Sequence, residues 1–294
     1  MDKVMVDPER CTMCGLCLQL CPRDILVEGS KIAQTIEPDR CYYCGHCKAL
    51  CPEDALHFPV LPEEDFKPVL GAAERPDPDR LLLQFRSRRT TRHFRPGAVE
   101  REKLEKIIQA GRYAPTGHNN QAVQYLVVQT PQALSELKEQ ALKALAGLVK
   151  EFEKRTETAR GKQGSSPKPA AFGRYAPASP SGIRKKVEAA QRGKDLLFYN
   201  APVLMICHTD PSKTSFPEWD VSLATMQMLL MAEALGLGTC LNGSLVYAIE
   251  YSAELRSALP IPAEHEIPVC FMVGYPALNF LRTVYRQPVP VTWL

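Results

Sequence analysis

Residues 11–22 read CTMCGLCLQLCP, and residues 41–52 read CYYCGHCKALCP. Each is C-x2-C-x2-C-x3-C-P, with cysteines at 11, 14, 17 and 21 and again at 41, 44, 47 and 51. Thiolates at steps of three wrap a tight loop around one corner of a metal cluster. A further metal atom of that cluster then needs a ligand from elsewhere in the chain. Gly15 and Gly45 sit inside the loops, where backbone must come close to the cluster. Pro22 and Pro52 end each loop with a fixed φ. Zinc sites use two C-x2-C pairs or Cys/His mixtures rather than two such runs. A disulfide framework belongs to short secreted chains, and the stretch MDKVMVDPERC carries no apolar signal run.

The spacing is the one that holds cubane [4Fe–4S] clusters, in which the fourth Cys of each run serves the other cluster. Cys11, Cys14, Cys17 and Cys51 are therefore assigned to one cluster, and Cys41, Cys44, Cys47 and Cys21 to the other. Residues 1–58 resemble a bacterial-type two-cluster ferredoxin. Eight of the eleven cysteines are used in this way; Cys207, Cys240 and Cys270 lie in apolar surroundings and read as small buried hydrophobes. Cysteine usage of this kind fits a reducing cytoplasm.

At 294 residues the chain has room for a second, larger domain. Residues 59–79 form a linker, punctuated by prolines at 59, 62, 68, 76 and 78, that acts as a semi-rigid strap. Residues 80–294 remain. The most apolar helical stretch, Val221 to Leu237, contains Glu233 and is too short to span a bilayer. Charge is uneven: residues 1–60 hold 6 Lys/Arg against 9 Asp/Glu, whereas residues 146–190 hold 10 against 4. That basic segment is either a lid that attracts anionic partners or a solvated loop, and it has too few aromatics for nucleic acid. His93, His118, His208 and His265 lack metal-ligand spacing and read as structural or exposed.

The larger part alternates helix and strand signals. Helices are expected over Arg80–Arg88, Val99–Arg112, Gln132–Lys150, Trp219–Leu235 and Ala253–Ala258. Strands are expected over Gln124–Thr130, Val203–His208 and Pro268–Gly274. This mixture predicts an α+β domain, a sheet covered by helices. No G-x-G-x-x-G follows a strand, which argues against a Rossmann dinucleotide unit.

Three short constellations carry chemistry. Arg88-Arg89-Thr90-Thr91-Arg92-His93-Phe94 packs three guanidiniums and two hydroxyls together, either a phosphate grip or a solvated basic stretch. Ala114-Pro115-Thr116-Gly117-His118-Asn119-Asn120-Gln121 is a turn rich in amides, able to serve a heterocycle edge or simply to reverse the chain. The glycines of Gly236-Leu237-Gly238-Thr239-Cys240-Leu241-Asn242-Gly243-Ser244 let backbone lie against a flat ring or cap the preceding helix.

In this order and with Arg286 before Gln287-Pro288, the three segments resemble the FMN-dependent nitroreductase family over about residues 82–290. The resemblance implies an α+β homodimer with FMN in the subunit interface. It implies that Arg88, Arg89, Thr90 and Arg92 hold the phosphate and ribityl end, with a further contact from Arg286. Pro115, Thr116, Asn119 and Gln121 would approach from the partner subunit, and Gly243 and Ser244 would offer backbone N–H groups near the reactive flavin nitrogen. Ala122-Val123 replace a frequent Pro-Trp, and Gly243 stands where one branch has glutamate, so substrate preference does not carry over.

The expected function is a flavin oxidoreductase with an iron–sulfur wire. The two [4Fe–4S] clusters feed FMN, which reduces a small organic acceptor such as a nitroaromatic, a quinone or an activated alkene. The cofactors do the chemistry and no catalytic side chain is required. The donor is reduced ferredoxin, another redox carrier or NAD(P)H. Rival readings are export of electrons through the clusters, a non-catalytic electron-transfer subunit, and specialised flavin chemistry on the same fold.

Overall fold

The computed structural model describes residues 4–160 and 180–294. The chain divides into two compact units. The first comprises Met1–Pro76 together with His118–Asn120, and the second Asp77–Gly117 and Gln121–Leu294.

The small unit is built from two near-repeats. Helix α1 (Leu16–Leu20) follows Gly15 at φ 75, and helix α2 (His46–Leu50) follows Gly45 at φ 69. Met13 and Tyr43, then Asp24 and Asp54, are left-handed at matching places, φ 57 and 51, then 52 and 48. Strands β1 (Met5–Val6) and β4 (Leu56–His57) pair antiparallel, as do β2 (Leu26–Val27) and β3 (Gln34–Thr35). Val4, Ile25, Leu26, Leu56 and Phe58 make a small core against which Cys17, Cys21, Cys41, Cys47 and Cys51 pack. So small an apolar cluster needs other support to hold a domain, and the sulfur-rich loops lie directly against it.

The two halves are buttressed unequally. Lys48, buried, pairs with Asp54 at 2.7 Å and Glu63 at 2.9 Å and donates to the Leu56 carbonyl at 3.1 Å. The Phe66 ring lies 5.3 Å from its ammonium, and a Cβ on Gly45 would touch that ring at 3.0 Å. A Cβ on Gly15 would meet nothing within 4 Å, and Cys14 is exposed. Glu63 and Phe66 come from the proline-rich strap. Its residues up to Pro76 group with the small unit, and short 3-10 turns form at Glu63–Asp65 and Ala72–Glu74.

In the large unit, α3 (Pro78–Ser87) starts at Asp77, whose carboxylate accepts from the Arg80 amide at 2.9 Å. There follow α4 (Arg101–Arg112), β5 (Val123–Val128), α5 (Pro131–Arg160), α6 (Ser181–Gln191), β6 (Val203–Thr209), α7 (Pro217–Ala234), β7 (Gly238–Leu241), α8 (Gly243–Tyr251), α9 (Ala253–Ala258) and β8 (Glu266–Gly274). The sheet is antiparallel in the order β5-β6-β8-β7. Along β6, Val203, Met205 and Cys207 enter a core with α4 and α7, while Leu204 and Ile206 enter one with α5, α6, α8 and α9. Helices on both faces explain why β6 is an unbroken apolar run although the sheet is antiparallel. This is the expected α+β layering. Three elements depart from the sequence expectations. Strand β7 and the start of helix α8 occupy the glycine-rich stretch, for which no regular element was expected, and α6 occupies part of the basic segment. The rest of that segment, 161–179, lies outside the described residues.

Candidate functional site

In the small unit the fold brings Cys51 beside the first run and Cys21 near Cys47 of the second. Cys11, Cys14, Cys17 and Cys51 line one cavity with Val6, Leu18 and Leu56. Burial raises the Cys17 thiol pKa, and the nearby Cys11, Cys14 and Cys51 raise it further. Cys47 is pushed up to about 12, first by burial and then by Cys44, Cys21 and Cys41. Four thiolates crowded in a low-dielectric pocket need positive charge between them, which a cluster supplies. Among the described residues no three His, Cys, Asp or Glu close on a single-ion site.

In the large unit the arginine-rich segment is held against β7. Thr90 bridges Thr239 in parallel register, and the Thr91 amide donates to the Thr239 carbonyl at 2.8 Å. A Cβ on Gly238 would come within 2.3 Å of Thr91 Oγ1, so this glycine is needed for the close approach of two backbones. Gly236 at φ 73 ends α7, with the Leu237 amide returning to the Ala232 carbonyl at 2.8 Å. Of the two roles open to these glycines, Gly236 takes the cap. Gly238 serves backbone packing.

Arg89 carries the strongest signal of a missing ligand. Its Nε and Nη2 are buried and, among the described residues, find no hydrogen-bond partner, and the Phe280 ring lies 5.8 Å from the guanidinium. A buried cation with unused donors is costly unless an anion meets it. Glu233 of α7 feels both Arg88 and Arg89, but burial keeps its carboxyl pKa above the usual range. Arg92 reaches the buried Cys240 thiol, and Lys186 of α6 lies near both. Burial, then Arg92, push the Lys186 pKa down. Lys186 was not singled out in the sequence, because nothing in a basic run marks which lysine turns inward.

Gly243 and Ser244 open α8, capped by the buried Asn242, whose Oδ1 accepts from the Leu245 amide at 3.2 Å. Their own N–H groups are first-turn donors at a helix N-terminus, which the helix itself leaves without intrahelical acceptors. Asn242 Nδ2 also donates to the Leu197 carbonyl at 3.0 Å, fixing the helix start. An Asn just before an apolar run was the available signal for α8.

The amide-rich turn divides. Thr116 Oγ1 accepts from the Gln121 amide at 3.1 Å, and Pro115 and Gln121 are exposed. The Gly117 amide donates to Asp220 Oδ1 at 2.9 Å, and Thr214 Oγ1 donates to Asp220 Oδ2 at 2.6 Å. Asp220, buried on α7, is an anchor that sequence reading missed. His118 and Asn119, however, belong to the small unit. Arg286 is exposed on the extended C-terminal segment, and among the described residues no hydrogen bond or ring contact links it to Arg88 or Arg89. His208 and His265 are not isolated: they are buried and share a contact between Nδ1 atoms of 2.8 Å. A separate cavity of about 710 Å³, lined by residues including Val99, Leu134, Lys138 and Phe198, contains no motif residue.

The nitroreductase family model matches residues 85–275. The chain belongs to the nitroreductase family. A 4Fe-4S dicluster domain model matches residues 3–53. Among solved structures, a nitroreductase with bound FMN from Bacteroides fragilis NCTC 9343 is similar at 21% identity. The match covers 72% of this chain and 98% of that one, with a TM-score of 0.52. A nitroreductase with bound FMN from Desulfitobacterium hafniense DCB-2 is also 21% identical, over 72% and 97%, at 0.51. A BluB-like flavoprotein from Clostridium difficile 630 is 19% identical, over 71% and 94%, also at 0.52. No curated protein matches. These likenesses establish the fold. For this nitroreductase-family chain, Arg89's unmatched donors and the α8 N-terminus fit a phosphorylated flavin. No described helix is long and apolar enough to cross a membrane.

Proposed function

We propose that this protein is an FMN oxidoreductase fed by two [4Fe–4S] clusters. The bound groups supply the redox chemistry, carrying electrons from a low-potential donor such as reduced ferredoxin or NAD(P)H to a nitroaromatic, quinone or activated alkene. The protein's own residues bind and orient. Arg88, Arg89 and Thr90 grip the phosphate end, with Arg286 contributing from the C-terminal segment. Arg92 joins them at the phosphate and ribityl end. Gly243 and Ser244 donate backbone N–H to the ring edge. The cysteines hold the clusters in the crossed pattern, Cys21 and Cys51 each serving the opposite run.

The site is completed in a homodimer, with the turn carrying Pro115, Thr116 and Gln121 facing a second copy. Two surfaces support this. Helix α7 leaves Trp219, Leu223 and Met226 exposed along one stripe. Helix α3 exposes Leu81, Leu82, Leu83 and Phe85. Apolar faces of this kind mark association surfaces.

The observation that carries the reading is Arg89. Arg89→Ala should weaken FMN by about 1.5–3 kcal/mol, as loss of charge-assisted hydrogen bonds does, and leave riboflavin affinity nearly unchanged. Equal losses for both flavins would show that Arg89 serves structure. Light scattering on the same preparation reads the dimer, and a monomer still holding FMN would remove the two-copy site. Anaerobic bleaching of the flavin by NADH, NADPH or reduced ferredoxin identifies the donor.

A further inference from the structure

Asn119 has a different employment from the one the family implies. Within the small unit its Nδ2 lies 3.1 Å from the Tyr42 carbonyl and 3.2 Å from the Tyr43 carbonyl. Carbonyls only accept, so the amide nitrogen is the end that must face them. Both carbonyls belong to the loop between Cys41 and Cys44. The peptide that joins Tyr42 to Tyr43 is the informative one. Its oxygen accepts from Asn119, and its N–H donates to Cys41 Sγ at 3.4 Å. The chain of contacts therefore runs from the Asn119 amide, through one peptide group, to a cluster-run sulfur. A hydrogen bond to the carbonyl polarises the peptide and strengthens the bond its N–H makes.

The surroundings hold this arrangement. The His118 ring packs on the Tyr42 ring at 5.2 Å, and the Arg23 guanidinium lies 4.8 Å from the centroid of that same ring. His118 and Asn119 are both left-handed at φ 53. Non-glycine residues take that conformation only when contacts hold them there, although Asn tolerates it best. The first run has no such support. Thr12 and Met13 stand in the places of Tyr42 and Tyr43, and among the described residues no side chain donates to their carbonyls.

We propose that Asn119 is a positioning residue for the iron–sulfur cluster of the second run, through the Tyr42–Tyr43 peptide that donates to Cys41, and not a flavin contact. This rests on the reading that the cysteines hold clusters, which wild-type iron content tests separately. Donors to cluster sulfurs stabilise the reduced, more negative form, so they raise the reduction potential. Losing the Asn119 amide should shift the second cluster to more negative potential and loosen its loop.

Two variants make the test. Asn119→Gly removes the donors and accepts the left-handed backbone without strain. Asn119→Asp keeps the size and turns a donor into an acceptor. In the holoprotein, an EPR-monitored redox titration should show one cluster moving negative by more than the other in both variants. Alkylation of Cys41 and Cys44 on exposure to chelator should quicken about fivefold, the factor one ordinary hydrogen bond represents, with Cys11 and Cys14 unchanged. FMN content should match wild type. Unchanged potentials and alkylation, or a fall in FMN content with the clusters unaffected, would overturn the proposal.

Discussion

The two units encode function in different ways. In the small unit the functional atoms are spaced along the chain, three residues apart, and the fold has only to bring Cys21 and Cys51 across. In the large unit no functional group stands alone. Arg89 matters because Thr90 and Thr91 lie on β7, because Gly238 admits them, and because α8 begins at Asn242. A ligand set written in spacing tolerates a small core of five residues. A ligand set written in contacts needs the two-faced core that surrounds the sheet.

The largest effect should come from breaking the one long-range element of the small unit. Cys51 closes the second run in sequence and the first run in space. Cys51→Ala should remove much of the iron of the first-run cluster, leaving a holoprotein that falls from about eight iron atoms towards four. Alkylation mapping should find Cys11, Cys14 and Cys17 newly reactive before Cys44 and Cys47. Were Cys41, Cys44 and Cys47 to open instead, the crossed pairing would be wrong and each run would hold its own cluster.

What could be read in the sequence follows the same division. The cysteine runs and their prolines were legible because the chemistry dictates the spacing. Helices α4 and α9 and strands β6 and β8 were legible because burial imposes a period or an apolar run. Strand β7 and helix α8 were hidden by glycines whose role is set elsewhere. Gly238 answers to Thr91, more than a hundred residues away in the chain, and nothing local distinguishes it from a loop glycine. Lys186, Asp220 and Lys48 were hidden for the same reason: a charged residue turned inward by tertiary contacts looks like any other charged residue. The His208–His265 pair is created by the register of β6 on β8, including the irregularity after Cys207. Asn119 was read through its family likeness, which describes a chain without a cluster loop to bind.

A middle-sized effect tests whether the contact-built site depends on close backbone approach. Gly238→Ala would place a methyl 2.3 Å from Thr91 Oγ1 and 2.7 Å from its Cβ. Overpacking of that kind costs about 1–3 kcal/mol, and it should weaken FMN along with stability because the Thr90–Thr239 bridge must shift. Gly243→Ala is the steric control: its methyl would meet Tyr247 at 3.9 Å, an ordinary contact, so unfolding should be nearly unchanged. Comparable destabilisation by the two substitutions would mean that Gly238 is not held by the arginine-rich segment.

The smallest expected effect concerns the same large core and its dependence on pH. His208 lies buried beside His265, their Nδ1 atoms 2.8 Å apart, so one ring must donate and the other accept. Both cannot be protonated in that geometry. Burial, then His265, then Arg256 lower the His208 pKa from 6.5 to about 4. Arg256 is itself fixed by the carbonyls of Ile261 at 3.0 Å and His265 at 3.1 Å, so it cannot easily withdraw. The sign of the linkage follows. The unfolded chain takes up a proton at His208 near pH 6.5, and the folded chain resists until about pH 4. Stability is therefore fully present above 6.5 and falls as pH drops through the window down to 4. In His208→Gln this titration is absent while a side-chain amide can still meet His265. Unfolding followed by the fluorescence of Trp219 and Trp293, both in the large unit, should show a shallower loss between pH 6.5 and 4.5 in the variant. Parallel curves for the two proteins would place the acid sensitivity of this core on other groups and leave the histidine pair a packing contact only.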